Sequence, residues 1–230
     1  MTFPFAQPSP GGIAIVPSVY IGKSQGAFTA GAYTWAAAPV ALGANDWLVV
    51  LEHRESNAVS TTTGVTIAGT AMTHWGGGSP QLAFINACYV DVWYAKPGAM
   101  ATGNIVASSA AGTGENLFAY RLGPATNATP KASVGVGQAN SNTCALASLT
   151  NTNGGTIVAG SATQFGATTF TTAWSGSEVP VIDFQGASAT GNNQLCAAHL
   201  DSIANAPSGT FTFNYSATRQ RIAGGFSMGP

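Results

Sequence analysis

Residues Asn86 to Ser108 read NACYVDVWYAKPGAMATGNIVAS. Cys88, Val90, Val92 and Tyr94 fall on one side of an extended chain and Tyr89, Asp91 and Trp93 on the other, the period-two pattern of a strand with one buried face. Lys96-Pro97-Gly98 breaks the strand, because proline fixes its backbone angle and lacks a donor while glycine frees the next residue. Asn104-Ile105-Val106 then supplies a β-branched return, and the three parts make a hairpin.

The chain outside this stretch is built from similar pieces. Trp47-Leu48-Val49-Val50-Leu51 is too uniformly apolar for a half-exposed strand and reads as a central one covered on both faces. Val65-Thr66-Ile67 leads through Gly69 to Met72-Thr73-His74-Trp75, a strand pair or a bulged strand, and Asn116–Leu122 closes a sheet. The second half offers short runs at Thr143–Leu149, Thr156–Gly160, Thr168–Trp174, Val179–Phe184, Gln194–Ile203, Gly209–Ser216 and Arg221–Met228. No window of a dozen residues keeps apolar positions at helical spacing without a glycine or proline. The expected class is all-β, a two-sheet antiparallel sandwich or jelly roll, since one flat sheet cannot bury its own face.

Pro4, Pro8, Pro10 and Gly11-Gly12 make residues 1–12 an extended arm, leaving 13–230 as a single sandwich domain. Pro17 reduces Ile13–Ile21 to an edge strand or to no strand. Residues 54–64 read as a polar loop and 124–142 as a long connection between two halves. A shift of 108 residues lays Cys88 on Cys196, Val92 on Leu200, Ile105 on Phe213 and Phe118 on Phe226. Those matches outline pseudo-repeated halves at about 45–123 and 153–230, although a chain rich in Ala, Gly, Ser and Thr also produces such matches by chance.

Only 7% of the 230 residues are charged, seven basic against eight acidic, while 45% are hydrophobic. Nothing here offers nucleic acid or an anionic membrane an electrostatic footprint, and no apolar run approaches the ~20 residues of a membrane-spanning helix. The N-terminus MTFPFAQPSPGG has neither a basic leader nor an apolar core, so synthesis in a cytoplasm is expected. Cys88, Cys144 and Cys196 lack the spacing of a zinc site or disulfide framework. A neutral exterior of this composition is poorly protected against association, which makes a homo-oligomer or larger assembly the expected working state.

Chemistry-bearing patterns are sparse. Glu52-His53-Arg54-Glu55 is the one charge cluster, and in a strand Glu52 and Arg54 share a face that His53 does not, so it reads as a strand end entering solvent with a local ion pair. His199 and Asp201 face the same way and would hold a metal or a water if a third ligand arrived; none is visible nearby in sequence. His74 is isolated, and Asp91 and Asp183 are single carboxylates in strands. No Gly-x-Ser-x-Gly turn is present, and Gly135-Val136-Gly137 lacks the third glycine and helix that phosphate binding requires. The expectation is no catalytic residue, no cofactor and no metal. Trp35, Trp47, Trp75, Trp93 and Trp174 either fill cores and contacts or line a sugar-binding face, for which Tyr89, Asp91 and Trp93 are the candidate glycan contacts.

Asn45-Asp46-Trp47-Leu48-Val49-Val50, then Val65-Thr66-Ile67-Ala68-Gly69-Thr70-Ala71-Met72-Thr73, then Val90-Asp91-Val92-Trp93-Tyr94 with its proline-glycine turn, and a closing Phe118-Ala119-Tyr120-Arg121-Leu122 together resemble β-sandwich (jelly-roll-like) virion proteins of tailed bacteriophages and prophages. The chain departs from that pattern at Ile67-Ala68-Gly69, where Trp-Gly-Gly is usual. The resemblance implies a structural part exposed on a particle, such as a head decoration, head fibre or tail appendage. It also implies virion localisation after assembly in the host cytoplasm, and capsid or tail proteins as partners. It carries over no catalytic residue. The alternatives are a carbohydrate-binding module or receptor-binding lectin-like domain that takes a host-surface glycan, and a sandwich hydrolase working through His199 and Asp201.

Overall fold

The computed structural model describes residues 17–27, 31–56, 62–75, 87–109, 112–124, 132–150, 154–164, 168–203 and 208–229. The arm expected over 1–12 lies outside them. The described residues form fifteen strands and no helix: β1 (Ser18–Ala27), β2 (Ala32–Ala38), β3 (Trp47–Ser56), β4 (Thr62–Ile67), β5 (Thr70–Ala71), β6 (Thr73–Trp75), β7 (Ala87–Ala95), β8 (Gly103–Ser109) and β9 (Gly114–Leu122), then β10 (Ala132–Leu149), β11 (Gly155–Gln164), β12 (Phe170–Trp174), β13 (Val181–Ala187), β14 (Asn193–Ile203) and β15 (Gly209–Met228). The class is all-β and antiparallel throughout, as expected.

The pairing is nested. β1 pairs with β9, β2 with β8, β3 with β7 and β4 with β5, so the chain wraps as one long folded ribbon. That ribbon splits into a five-stranded sheet, β1-β9-β3-β7-β6, and a four-stranded sheet, β2-β8-β4-β5. Nested pairs shared out in this way between two sheets give jelly-roll connectivity. The same order then recurs. β10 pairs with β15 and β11 with β14, in a sheet ordered β10-β15-β11-β14-β13 with β12 added along β15. Here β10 and β15, 18 and 20 residues long, each do the work of two strands of the first unit and carry the chain from one layer to the other without a break.

Three apolar layers result. Leu48, Val50, Ile67 and Ile105 fill the first unit, and Ile157, Cys196, Phe211 and Phe213 fill the second. Val49, Leu51, Phe118, Val158 and Phe226 lie between the units, where the two large sheets face one another. β3 is the middle strand of its sheet and feeds two of these layers, Val49 and Leu51 on one face and Leu48 and Val50 on the other. That explains its unbroken apolar run.

Three expectations change. β3 continues to Ser56 and β4 starts at Thr62, so much of 54–64 is strand. Residues 132–142, read as a connection, belong to β10; their Gly, Ser and Asn resemble turn formers locally, but pairing along β15 overrides that preference. Gly209–Ser216 and Arg221–Met228 are one strand. Of the residues a 108-residue shift superposes, Ile105 and Phe213 each fill their own unit, and Phe118 and Phe226 both face the central layer. Val92 and Leu200, superposed by the same shift, point to different layers.

The units approach closely at several glycines, two of them on β11 and β15. A Cβ on Gly224 would come within 3.2 Å of the Val90 carbonyl, and one on Gly160 within 2.6 Å of the His53 ring. His53 is fully buried and cannot withdraw. Gly160→Ala is therefore expected to destabilise the fold by about 1–3 kcal/mol through overpacking, read as a lower denaturant midpoint with unchanged slope; an unchanged midpoint would show that the sheets have room to part.

Candidate functional site

Among the described residues, polar side chains gather in several places, three of which involve the first unit. The first is the far end of the first unit's interior. Glu52 and Arg54 share a face of β3, as alternation requires, and form an ion pair at 3.5 Å that is buried rather than solvated. Trp93 donates its indole N–H to Glu52 Oε2 at 2.8 Å, and the Arg54 guanidinium lies 5.1 Å from the centre of the Tyr89 ring. Glu115 stands across the ladder from Arg54; burial, then the Glu52 carboxylate, pushes its pKa well up and favours the neutral acid. His74 is not isolated. It meets Asp91 at 3.2 Å and lies against the Trp93 ring, and the hydrogen bond to Asp91 raises its pKa.

This end holds all three sequence-predicted glycan contacts on one face of β7, as their spacing requires. All are buried, with Tyr89 1%, Asp91 7% and Trp93 5% exposed. A sugar needs an open indole face, and Trp93 has neither a free face nor a free N–H. The other tryptophans do not replace it: Trp47 and Trp75 belong to the central layer, Trp35 to the first unit and Trp174 to the second. Five rings shared among three interiors form no common platform.

The second place is a clamp between units. Glu55 ends β3 buried, and the turn between β13 and β14 closes over it. Ser188 donates its hydroxyl and Asn193 its side-chain amide (2.5 Å) to one carboxylate oxygen, while the Thr190 hydroxyl donates to the other. Asn116, beside it, donates to the His53 carbonyl at 2.9 Å and accepts from the Ala189 N–H at 2.8 Å. No spacing in the sequence links 55 with 188–193; only the packing of two units does.

The third is the seam at the opposite end. His199 and Asp201 do face the same way on β14, and a third group arrives from β13: Asp183, 2.7 Å from His199 Nδ1. Asp201 lies 4.0 Å from Nε2. From the first unit, the Tyr120 hydroxyl donates to Asp183 at 2.9 Å and the Ser18 backbone N–H to Asp201 at 3.1 Å, while within the second unit Thr156 donates to Asp201 at 2.5 Å. The imidazole and its two carboxylates lie in one sheet, and the Tyr120 and Ser18 donors tie that cluster to the first unit. The described residues include no group of three or more His, Cys, Asp or Glu arranged to hold a metal ion.

No protein-family model matches the chain, nor does any curated protein or solved structure.

Two measurements test this geometry. Glu55→Ala strands several buried donors, each costing about 1–3 kcal/mol when unsatisfied; a total loss of roughly 3 kcal/mol is expected, with a smaller loss for Glu55→Gln, and equal losses would refute the clamp. The second concerns pH. Burial alone would lower the His199 pKa, but the Asp183 hydrogen bond and charge, with Asp201, raise it above the ordinary value. The ion pairs therefore stabilise fully below the unfolded-state pKa of about 6.5 and are lost as pH rises through the raised folded value. His53 acts oppositely: burial pushes it down to about 3, so its contribution is full above about 6.5 and falls away on acidification. The stability difference between wild type and His199→Asn isolates the seam; about 1 kcal/mol near pH 5 is expected to shrink toward pH 9, and a difference independent of pH would mean the ring only fills space.

Proposed function

We propose that this chain is a non-enzymatic structural component of a tailed-phage virion, exposed on the particle as a head decoration, head fibre or tail appendage and working by assembly with other virion proteins and copies of itself. The observation that carries the reading is where the charges are. Among described residues Glu52, Arg54, Glu55, Asp91, Glu115 and Arg221 are buried, and only Lys23, Lys96 and Arg219 are exposed. Ordinary soluble domains do the reverse, keeping Lys, Glu, Arg and Asp outside. An exterior left to Ala, Gly, Ser, Thr and Asn repels neither its own copies nor a neutral neighbour, which suits a part that spends its working life packed in an assembly. Two edges add to this: β10 and β13 end their sheet, and edge strands offer unpaired backbone groups to another chain. Jelly-roll connectivity is shared by viral capsid and lectin domains, an analogy of fold that supports the reading without deciding it.

Quantitative mass spectrometry of gradient-purified particles is the direct test. The chain is expected at a fixed ratio to the principal shell or tail protein, and particles assembled without it are expected to lose heat resistance or adsorption. A chain that stays in the soluble fraction, with particles unaltered by its loss, would sink the proposal.

A further inference from the structure

Among the described residues, the second unit buries a cation that no acidic side chain neutralises. Arg221 sits on β15 between Gln138 of β10 and Thr163 of β11, with no exposed surface. It points, like Ala223, into the second unit, where the Tyr215 ring lies 4.5 Å from the guanidinium carbon. Nη2 donates to the Arg219 carbonyl at 2.7 Å, but Nε and Nη1 make no hydrogen bond. The nearby polar groups cannot help. Ser161 and Tyr215 are hydrogen-bonded to each other, and Ser161 also donates to the Ile222 carbonyl at 2.9 Å. Burial keeps both Tyr215 and Cys144 in their neutral forms, the thiol pushed up to about 11. Asp183 and Asp201 are engaged at the seam.

The first unit shows the completed version of this arrangement. Arg54 is equally buried and also lies over a tyrosine, Tyr89, but the Glu52 carboxylate stands 3.5 Å from its guanidinium as a counter-charge. Among the described residues no carboxylate takes that part beside Arg221. A guanidinium does not shed its proton in a protein, so the charge must be met, and an unpaired buried charge costs far more than a missing hydrogen bond.

We propose that Arg221 is completed by a small bound monovalent anion, a halide or an oxyanion such as nitrate, held inside the second unit by the Nε and Nη1 N–H groups. The anion does there what Glu52 does in the first unit and becomes part of the folded structure.

The test is thermal unfolding at fixed pH and ionic strength, replacing bulky gluconate stepwise with chloride. A ligand bound only by the folded state raises the midpoint with concentration, here by roughly 3–5 °C for each tenfold rise in chloride above the dissociation constant. Arg221→Met is expected to flatten that dependence, and Arg219→Met, on the exposed neighbour, to keep it. A wild-type midpoint indifferent to the anion overturns the proposal, as does an Arg221→Met protein that still responds. If Arg221→Met does not fold, wild-type crystals grown in bromide decide: an anomalous peak within hydrogen-bond reach of Nε or Nη1 supports the site, and none there overturns it. A midpoint that follows protein concentration instead of chloride also overturns it, since the counter-charge would then come from a second copy.

Discussion

Burial of β3 on both faces is the constraint from which the rest of the molecule follows. A strand that feeds apolar side chains into two layers at once needs a sheet packed on each side, and a single two-sheet sandwich provides only one. The nested pairing of β1 to β9 supplies the first partner, the small sheet of the same unit. The second unit supplies the other. The central layer of Val49, Leu51, Phe118, Val158 and Phe226 is therefore the condition under which Trp47–Leu51 can be so uniformly apolar.

The same constraint explains the polar interior. β3 does not end where its apolar run ends, so Glu52, His53, Arg54 and Glu55 are carried inward, the three charged groups to polar partners and His53 as a ring whose nitrogens make no side-chain hydrogen bond. Alternation sends Glu52 and Arg54 to the first unit's interior, where they meet each other and Trp93, and sends His53 to the central layer, where Gly160 leaves room for its ring. Glu55 is met by a turn of the other unit. Half of one strand thus carries its charges into internal contacts, and among the described residues only Lys23, Lys96 and Arg219 are exposed charges.

The two units are alike in path and unlike in chemistry. Each closes one end of its interior with an arginine over a tyrosine, Arg54 over Tyr89 and Arg221 over Tyr215, yet among the described residues only the first is ion-paired with a carboxylate. At the seam the roles differ again, with His199 held between Asp183 and Asp201 while the first unit pairs a single histidine, His74, with a single aspartate, Asp91. A shared topology restricts which strands meet but leaves the charges they carry to vary.

Alternation at residues 86–108, the apolar run at 47–51 and turn residues at strand-length intervals were enough to read an all-β sandwich from the sequence alone, because side-chain direction in a strand is local and repeats every two residues. The sharing of a face by Tyr89, Asp91 and Trp93, and by His199 and Asp201, was legible for the same reason. Which side of each sheet would be covered was not. Local pattern gives direction but not depth, so Glu52–Glu55 read as a solvated end and Trp93 as a candidate platform until a second sheet closed over them. Nor could sequence bring Asp183 to His199, or Ser188 and Asn193 to Glu55, since these pairs are joined by strand register and by the packing of one unit on the other, over distances along the chain at which no spacing rule holds.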